Sequence, residues 1–228
     1  MTIDKINWLL KKDQGSANRT STTPARTTDS ELKIQLGGGP VHVSFPPNTG
    51  YVYLLLDCSS SMSSDNKLGQ AKERSIDFAR QAQFKGYFVG LITFNTSAAN
   101  ICDPQPETSV LQKHLATIEA EGTTNMGRGI RLATNKLKSL PGQLCMVIVT
   151  DGAPNSKQNA LKLAGEAKNA GIEIITIGTD DADEEFLRLL ASRKELATKV
   201  IREQLGQAIA DAAKMLPAPN KRLNLKPG

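Results

Sequence analysis

The chain has few of the features that mark secreted or membrane-spanning proteins. It contains three cysteines in 228 residues, an odd number without the spacing of a disulfide framework. No stretch reaches the roughly 18 apolar residues that suggest a membrane-spanning helix, and the first residues show no basic segment followed by a long apolar run. These absences predict reduced thiols in or near the core and a cytoplasmic protein that does not engage a membrane.

Signatures of common nucleotide-binding and hydrolytic enzymes are also missing. The sequence has no Gly-x-Ser-x-Gly elbow, no Walker loop and no Gly-x-Gly-x-x-Gly fingerprint. His42 falls on the polar side of a predicted strand and His114 on the polar side of a predicted helix, so both are expected at the surface. We predict that the chain is not an enzyme. A metal-dependent phosphohydrolase is the alternative from a different class.

The net charge of +5 lies in the two ends of the chain. Residues 1–45 carry six basic and four acidic side chains, and residues 214–228 carry four basic and no acidic ones, which leaves residues 46–213 at −1. A nucleic-acid-binding domain is expected to carry a basic stripe on its folded surface. The charge distribution therefore argues against a nucleic-acid partner.

The N-terminal residues divide into three segments by composition. Residues 1–14 suggest a short helix, residues 15–30 form a Ser/Thr-rich linker, and residues 31–47 alternate between apolar and polar side chains around a Gly-Gly-Gly-Pro turn, which predicts a β-hairpin extension. Phosphorylation of the linker would make the chain a regulated adaptor, a second alternative. The threonines concerned are Thr20, Thr22, Thr23, Thr27 and Thr28.

Residues 48–216 contain predicted strands that alternate with predicted helices, and residues 217–228 form a basic, Pro-containing tail. Strands without a polar side that alternate with amphipathic helices predict a doubly wound, mostly parallel, Rossmann-like α/β sheet with helices on both faces. Strands are predicted at about 51–56, 87–94, 98–102, 144–149, 172–177 and 198–201. Helices are predicted at about 67–84, 109–120, 127–139, 157–170, 183–191 and 203–216.

The strongest signal is an apolar run that ends abruptly in oxygen-bearing side chains. Residues 51–56 are all apolar, which predicts a strand buried on both faces, and Asp57, Ser59 and Ser61 follow at once. Open α/β sheets place their sites at the C-terminal ends of strands. Ser and Asp also cap helices, so helix N-capping would explain each of these residues taken singly.

Two later segments have the same character. Thr124 lies in a Gly-Thr-Thr-Asn segment before a predicted helix, and Asp151 follows a second wholly apolar strand. Small hard cations such as Mg²⁺ prefer about six oxygen ligands, commonly one or two carboxylates with waters. Two aspartates and three hydroxyls therefore predict a divalent-cation site assembled from three loops. Because the hydroxyls are neutral, a bound cation would keep positive charge and attract a carboxylate.

Together these segments resemble the von Willebrand factor type A domain and its metal-ion-dependent adhesion site, or MIDAS. The similarity covers roughly residues 48–216, with Ser60 and Thr123 at positions where the family often has glycine. The motifs that carry it are Asp57-x-Ser59-x-Ser61-Met62, Thr124-Asn125 and Thr150-Asp151-Gly152.

The resemblance implies roles for these residues and for the protein. Ser59 and Ser61 would bind the metal directly, Thr124 would do so when a ligand is engaged, and Asp57 and Asp151 would act mainly through waters. Mg²⁺ is the expected ion, with Mn²⁺ and Ca²⁺ as alternatives. The implied function is a protein–protein interaction module whose metal captures an acidic side chain of a partner, such as an ATPase or a component of a multi-protein complex. Ligand engagement could also move the last helix.

Overall fold

The computed structural model describes residues 49–180 and 182–219, and it gives the backbone alone for residues 31–36 and 39–44. Those two segments are strands β1 (Glu31–Leu36) and β2 (Gly39–Ser44), which pair antiparallel. The predicted helix at 1–14, the linker with its threonines and most of the tail at 217–228 lie outside the described residues.

A six-stranded sheet forms the centre of the domain, in the order β5-β4-β3-β6-β7-β8. All neighbouring strands run parallel except β4 and β5, which are antiparallel. The central strands are buried on both faces, which explains their unbroken apolar sequences. The strands are β3 (Gly50–Asp57), β4 (Tyr87–Phe94), β5 (Ala98–Gln105), β6 (Gln143–Thr150), β7 (Ile172–Thr179) and β8 (Ala197–Val200).

Helices cover the sheet on both sides, which confirms the predicted doubly wound α/β fold. One apolar core lies between the sheet and α1, α2 and α6, and a second lies between the sheet and α3, α4 and α5. Among the described residues, none of these helices combines the length and apolar character needed to cross a membrane. The helices are α1 (Lys67–Phe84), α2 (Thr108–Ala116), α3 (Met126–Leu137), α4 (Lys157–Asn169), α5 (Glu184–Leu190) and α6 (Leu205–Met215), with 3-10 segments at Ser60–Asn66, Lys194–Leu196 and Arg202–Gln204.

Several element boundaries differ from the predicted ones by two residues or more. Strand β5 continues to Gln105, three residues beyond the prediction. Helix α2 ends at Ala116 rather than near residue 120, because the following residues form a loop in which the Glu121 N–H donates to the Cys58 carbonyl at 2.8 Å. Helix α6 begins at Leu205, after a 3-10 turn.

The strand order has a topological switch point between β3 and β6. From β3 the chain crosses to β4 on one side, and β6 then pairs with β3 on the other side. The order therefore reverses at the C-terminal ends of β3 and β6, the position where open α/β sheets hold their ligands. The register pairs Leu56 with Val149, so Asp57 and Thr150 end side by side.

Candidate functional site

Asp57 is fixed at the end of β3 and is completely buried. Its Oδ1 accepts a hydrogen bond from the Ser59 N–H at 2.9 Å, and its Oδ2 accepts one from the Thr150 hydroxyl at 2.6 Å. Burial raises the pKa of Asp57 to about 6, and the hydrogen bonds from Thr150 and Ser59 oppose that rise. A cation nearby would favour the ionised form of this carboxyl.

The hydroxyls of Ser59 and Ser61 form a chain of contacts with Asp151. Ser59 Oγ lies 3.1 Å from Ser61 Oγ, and the Ser61 hydroxyl donates to Asp151 Oδ1 at 2.7 Å. Ser59 and Asp151 are buried, whereas Ser61 is exposed. Ser59 directly precedes the 3-10 segment, but its side chain makes no capping hydrogen bond there. The capping explanation therefore does not account for Ser59.

Thr124 lies in the loop that leads into α3 and is buried. The Ser60 N–H donates to the Gly122 carbonyl at 3.0 Å, which joins this loop to the one after β3. Gly122 has a φ of +73°, and a Cβ there would lie 2.5 Å from Thr96 Oγ1, so both conformation and space require glycine. The Thr124 N–H donates to Asn155 Oδ1 at 3.2 Å, which ties the loop to the segment after β6.

The structure therefore places all five predicted residues at the same edge of the sheet. Direct side-chain contacts link Ser59, Ser61 and Asp151. Asp57 joins them through the Ser59 backbone, and Thr124 lies in the adjoining loop.

A group of charged residues that the sequence did not single out lies beside these five. Lys67, the first residue of α1, is buried, and its ammonium donates to Asp151 Oδ2 and, at 3.0 Å, to Asp180 Oδ2. Asp180 follows β7, and Arg202 Nε donates to its Oδ1 at 3.2 Å. A signal for Asp180 was available, because it directly follows a largely apolar strand, β7, whereas Asp57 is the last residue of β3.

These ion pairs favour the charged forms of Lys67 and Asp180. Burial alone would lower the pKa of Lys67, but hydrogen bonds to Asp151 and Asp180 outweigh burial and raise that pKa above its ordinary value. Partial burial tends to raise the pKa of Asp180, but the hydrogen bonds from Lys67 and Arg202 outweigh it and hold that pKa below its ordinary value. A buried cation thus lies against one of the predicted metal-binding carboxylates.

The predicted residues offer a donor set that fits a hard cation. Within the described part of the chain, no group of three or more His, Cys, Asp and Glu side chains could hold a metal ion. The oxygens at this edge are instead two carboxylates and three hydroxyls. Such a set suits a small ion that prefers oxygen and keeps some of its waters, and it does not suit thiophilic metals.

The parallel sheet with helices on both faces and an oxygen-rich group at its C-terminal edge defines a Rossmann-like α/β domain with a candidate ligand site. The family model of the von Willebrand factor type A domain matches residues 52–214. The chain belongs to this family.

The chain matches only a small part of its curated relatives. It is 30% identical over 141 residues to calcium-activated chloride channel regulator 1 of Mus musculus, a match that covers 58% of this chain and 15% of that protein. The same-named protein of Bos taurus is 30% identical over 134 residues, covering 55% of this chain and 14% of that protein.

Solved structures of low sequence identity share the fold. The vWF domain of the type V pili tip protein Mfa5 from Porphyromonas gingivalis superposes with a TM-score of 0.67 at 14% identity, covering 79% of this chain and 97% of that one. Proximal thread matrix protein 1 from the mussel byssus, in a structure with a zinc-occupied MIDAS motif, gives a TM-score of 0.62 at 17% identity, covering 76% and 48%. These likenesses establish the fold alone.

Proposed function

We propose that the domain is a non-enzymatic binding module in which Asp57, Ser59, Ser61, Thr124 and Asp151 hold a divalent cation. Mg²⁺ is the first choice, with Mn²⁺ and Ca²⁺ as alternatives. When bound, the cation would offer a positively charged position to an acidic side chain of a partner protein. The observation that supports this most is the contact chain from Ser59 through Ser61 to Asp151, which gathers hydroxyl and carboxylate oxygens at the sheet edge.

The residues contribute in different ways. Ser61 is exposed and bonded to a carboxylate, so it offers an oxygen at the solvent side of the group. Asp57 has both carboxylate oxygens engaged by protein donors, so we assign it to holding the Ser59 loop and to acting on the ion through water. The hydroxyl ligands add oxygen without adding negative charge, which favours an anionic partner.

A phosphohydrolase is less well supported. Asp57 is fully buried and its two oxygens accept hydrogen bonds from Ser59 and Thr150, so it is poorly placed to attack a phosphate. His114, a residue type often used as a general acid or base, is exposed on α2. A binding role therefore accounts for the oxygen atoms at the sheet edge without requiring a nucleophile or a general acid or base.

The cellular setting is also part of the proposal. Cys58, Cys102 and Cys145 are all buried thiols, which is in keeping with a reducing compartment. We place the protein in the cytoplasm, within a multi-protein complex, with an ATPase as one kind of partner.

Calorimetric titration of the full chain with MgCl₂ and MnCl₂ tests the site. We expect Asp151→Asn and Ser61→Ala to weaken binding by about tenfold or more, because each removes part of the contact chain that orients the oxygen donors. Ser64→Ala is the matched control, since Ser64 is an exposed serine in the same 3-10 segment, and it should bind as the wild type does. Circular dichroism checks that each variant is folded.

A carboxylate probe tests the second half of the proposal. Acetate should strengthen ion binding by the wild-type chain and should have less effect in Ser61→Ala. Failure of the wild type to bind either ion, with acetate present, would overturn the proposed function.

A further inference from the structure

Lys67 places a positive charge beside Asp151, a carboxylate that the proposed site would use to hold a divalent cation. Its side chain is 6% exposed, and its ammonium is bonded to Asp151 Oδ2, while Ser61 is bonded to the other oxygen of the same carboxylate. The Asp151 carboxylate is thus shared between the Ser61 hydroxyl and the Lys67 ammonium. An ion that engages Asp151 would lie close to the Lys67 charge, and like charges in a poorly hydrated position repel strongly.

A second carboxylate, that of Asp180, also binds Lys67. Asp180 Oδ2 accepts from the Lys67 ammonium at 3.0 Å, and Asp180 is itself bonded to Arg202, which also contacts Asp65. The ammonium is therefore divided between two acceptors, Asp151 and Asp180. Weakening either ion pair should strengthen the hold of the other acceptor on Lys67.

The local backbone fixes this arrangement. Asp65 and Asn66, immediately before Lys67, have φ values of 51° and 56°, and Asp180 has a φ of 50°. These are left-handed conformations, which Asp and Asn tolerate better than other non-glycine residues. The turn sends the chain into α1 with Lys67 as its first residue, next to the ends of β6 and β7.

We propose that Lys67 is a resident counter-cation of the candidate metal site, which competes with the divalent ion for Asp151 and so sets how tightly the site binds it. This inference rests on the proposed function. It makes Lys67 a positioning residue for Asp151, and Asp180 the group that draws Lys67 away from Asp151. Metal affinity then depends on the balance between the two ion pairs.

Two variants of opposite expected effect test the inference in the full chain. Lys67→Met keeps the length of the side chain and removes the charge, so we expect Mn²⁺ and Mg²⁺ to bind about tenfold tighter or more. Asp180→Asn keeps the shape of the residue and tolerates its φ, but it leaves Lys67 to Asp151, so we expect the same ions to bind several-fold more weakly. If the ion pairs served only to hold the local structure, both variants would bind the ions more weakly than the wild type.

The measurements are calorimetric affinity for MnCl₂ and MgCl₂ and the shift in melting temperature caused by each ion. Without metal, Lys67→Met should melt below the wild type, because two carboxylates lose their partner, and the ion-induced rise in melting temperature should exceed that of the wild type. Lys162→Met is the control, since Lys162 is exposed on α4, and it should leave the affinity unchanged.

The outcomes separate this inference from the proposed function. If the wild type binds the ions and folded Lys67→Met binds them equally or more weakly, the inference is overturned and the metal site stands. If only Lys67→Met binds them, the inference is supported and the proposed function of the wild type is overturned. If no variant binds either ion, both are overturned. Should Lys67→Met fail to fold, unchanged or tighter binding by Asp180→Asn would overturn the inference.

Discussion

Asp103 organises a partly buried polar cluster on the other half of the sheet from Lys67. The hydroxyl of Tyr53, a fully buried residue of β3, donates to Asp103 Oδ1 at 2.8 Å. Asn100 Nδ2 and Lys136 Nζ donate to the same oxygen at 3.0 and 3.1 Å. Burial tends to raise the pKa of Asp103, but the hydrogen bonds from Tyr53, Lys136 and Asn100 outweigh it and hold that pKa below its ordinary value.

Replacing this carboxylate should make stability less dependent on pH. A lowered folded-state pKa means that ionised Asp103 stabilises the fold above the unfolded-state pKa of about 3.9, and that this stabilisation is lost as the pH falls through the folded-state pKa. We expect Asp103→Asn to lower the free energy of unfolding by about 1–3 kcal/mol near neutral pH. Urea unfolding at about pH 7 and about pH 3 should show a smaller difference from wild type at the lower pH.

The matched control for Asp103 is a surface ion pair. Asp77 contacts Arg74 and Arg80 on α1 but is 36% exposed, so Asp77→Asn should change stability by no more than about 1 kcal/mol. A loss in Asp103→Asn that is equally large at both pH values would contradict the charge-based explanation.

Single residues also show what the sequence could and could not predict about the site. Asp57 and Asp151 could be assigned because each comes soon after an unbroken apolar run within a strand, a signal contained in a few neighbouring residues. Lys67 could not, because a lysine in the first turn of a helix usually lies in solvent. Its role arises only when the start of α1 meets the ends of β6 and β7. Lys67 is separated along the chain by 84 positions from Asp151 and by 113 positions from Asp180.

At the scale of elements, strands were easier to predict than the segments between them. Strands β3, β4 and β6 begin or end within one residue of the predicted bounds, because burial on both faces demands apolar side chains throughout. The 3-10 segment Ser60–Asn66 had no such signal. Its conformation depends on left-handed residues at Asp65 and Asn66 and on backbone contacts with distant loops.

Helix α6 closes one of the two cores by packing against α1. Ile209 is fully buried in this core, together with Phe78 of α1 and Leu91 of β4. We expect Ile209→Ala to lower the free energy of unfolding by about 2–5 kcal/mol, because it leaves a cavity between close-packed elements. Urea unfolding measures this loss. The slope of the free energy of unfolding against urea concentration should be the same in the variant and the wild type.

An exposed isoleucine near α6 controls for the loss of apolar side-chain atoms as such. Ile201 is 63% exposed just before this helix, so Ile201→Ala should change stability by about 0.5 kcal/mol or less. Equal losses in the two variants would show that burial of Ile209 is not the cause.

At the scale of the whole molecule, one sheet forms a wall of both cores, so neither core is expected to open without the other. The three cysteines are useful reporters of this coupling, because Cys58 follows β3, Cys102 lies in β5 and Cys145 lies in β6. All three are buried in the core on the α1 side. Burial also raises the pKa of Cys58 and Cys145 to about 12, so these two thiols form almost no reactive thiolate near neutral pH.

Alkylation by iodoacetamide, followed at each cysteine by mass spectrometry, should therefore be slow in the native protein and occur at one common rate. The reason is that each thiol becomes accessible through the same cooperative opening of the sheet, rather than through local fluctuation. Protein unfolded in urea, the control, should be modified rapidly at all three positions. Early modification of Cys58 alone would contradict a single opening step. It would show instead that the edge carrying Asp57 and Ser59 opens independently, so that the candidate site would be the least stable part of the sheet.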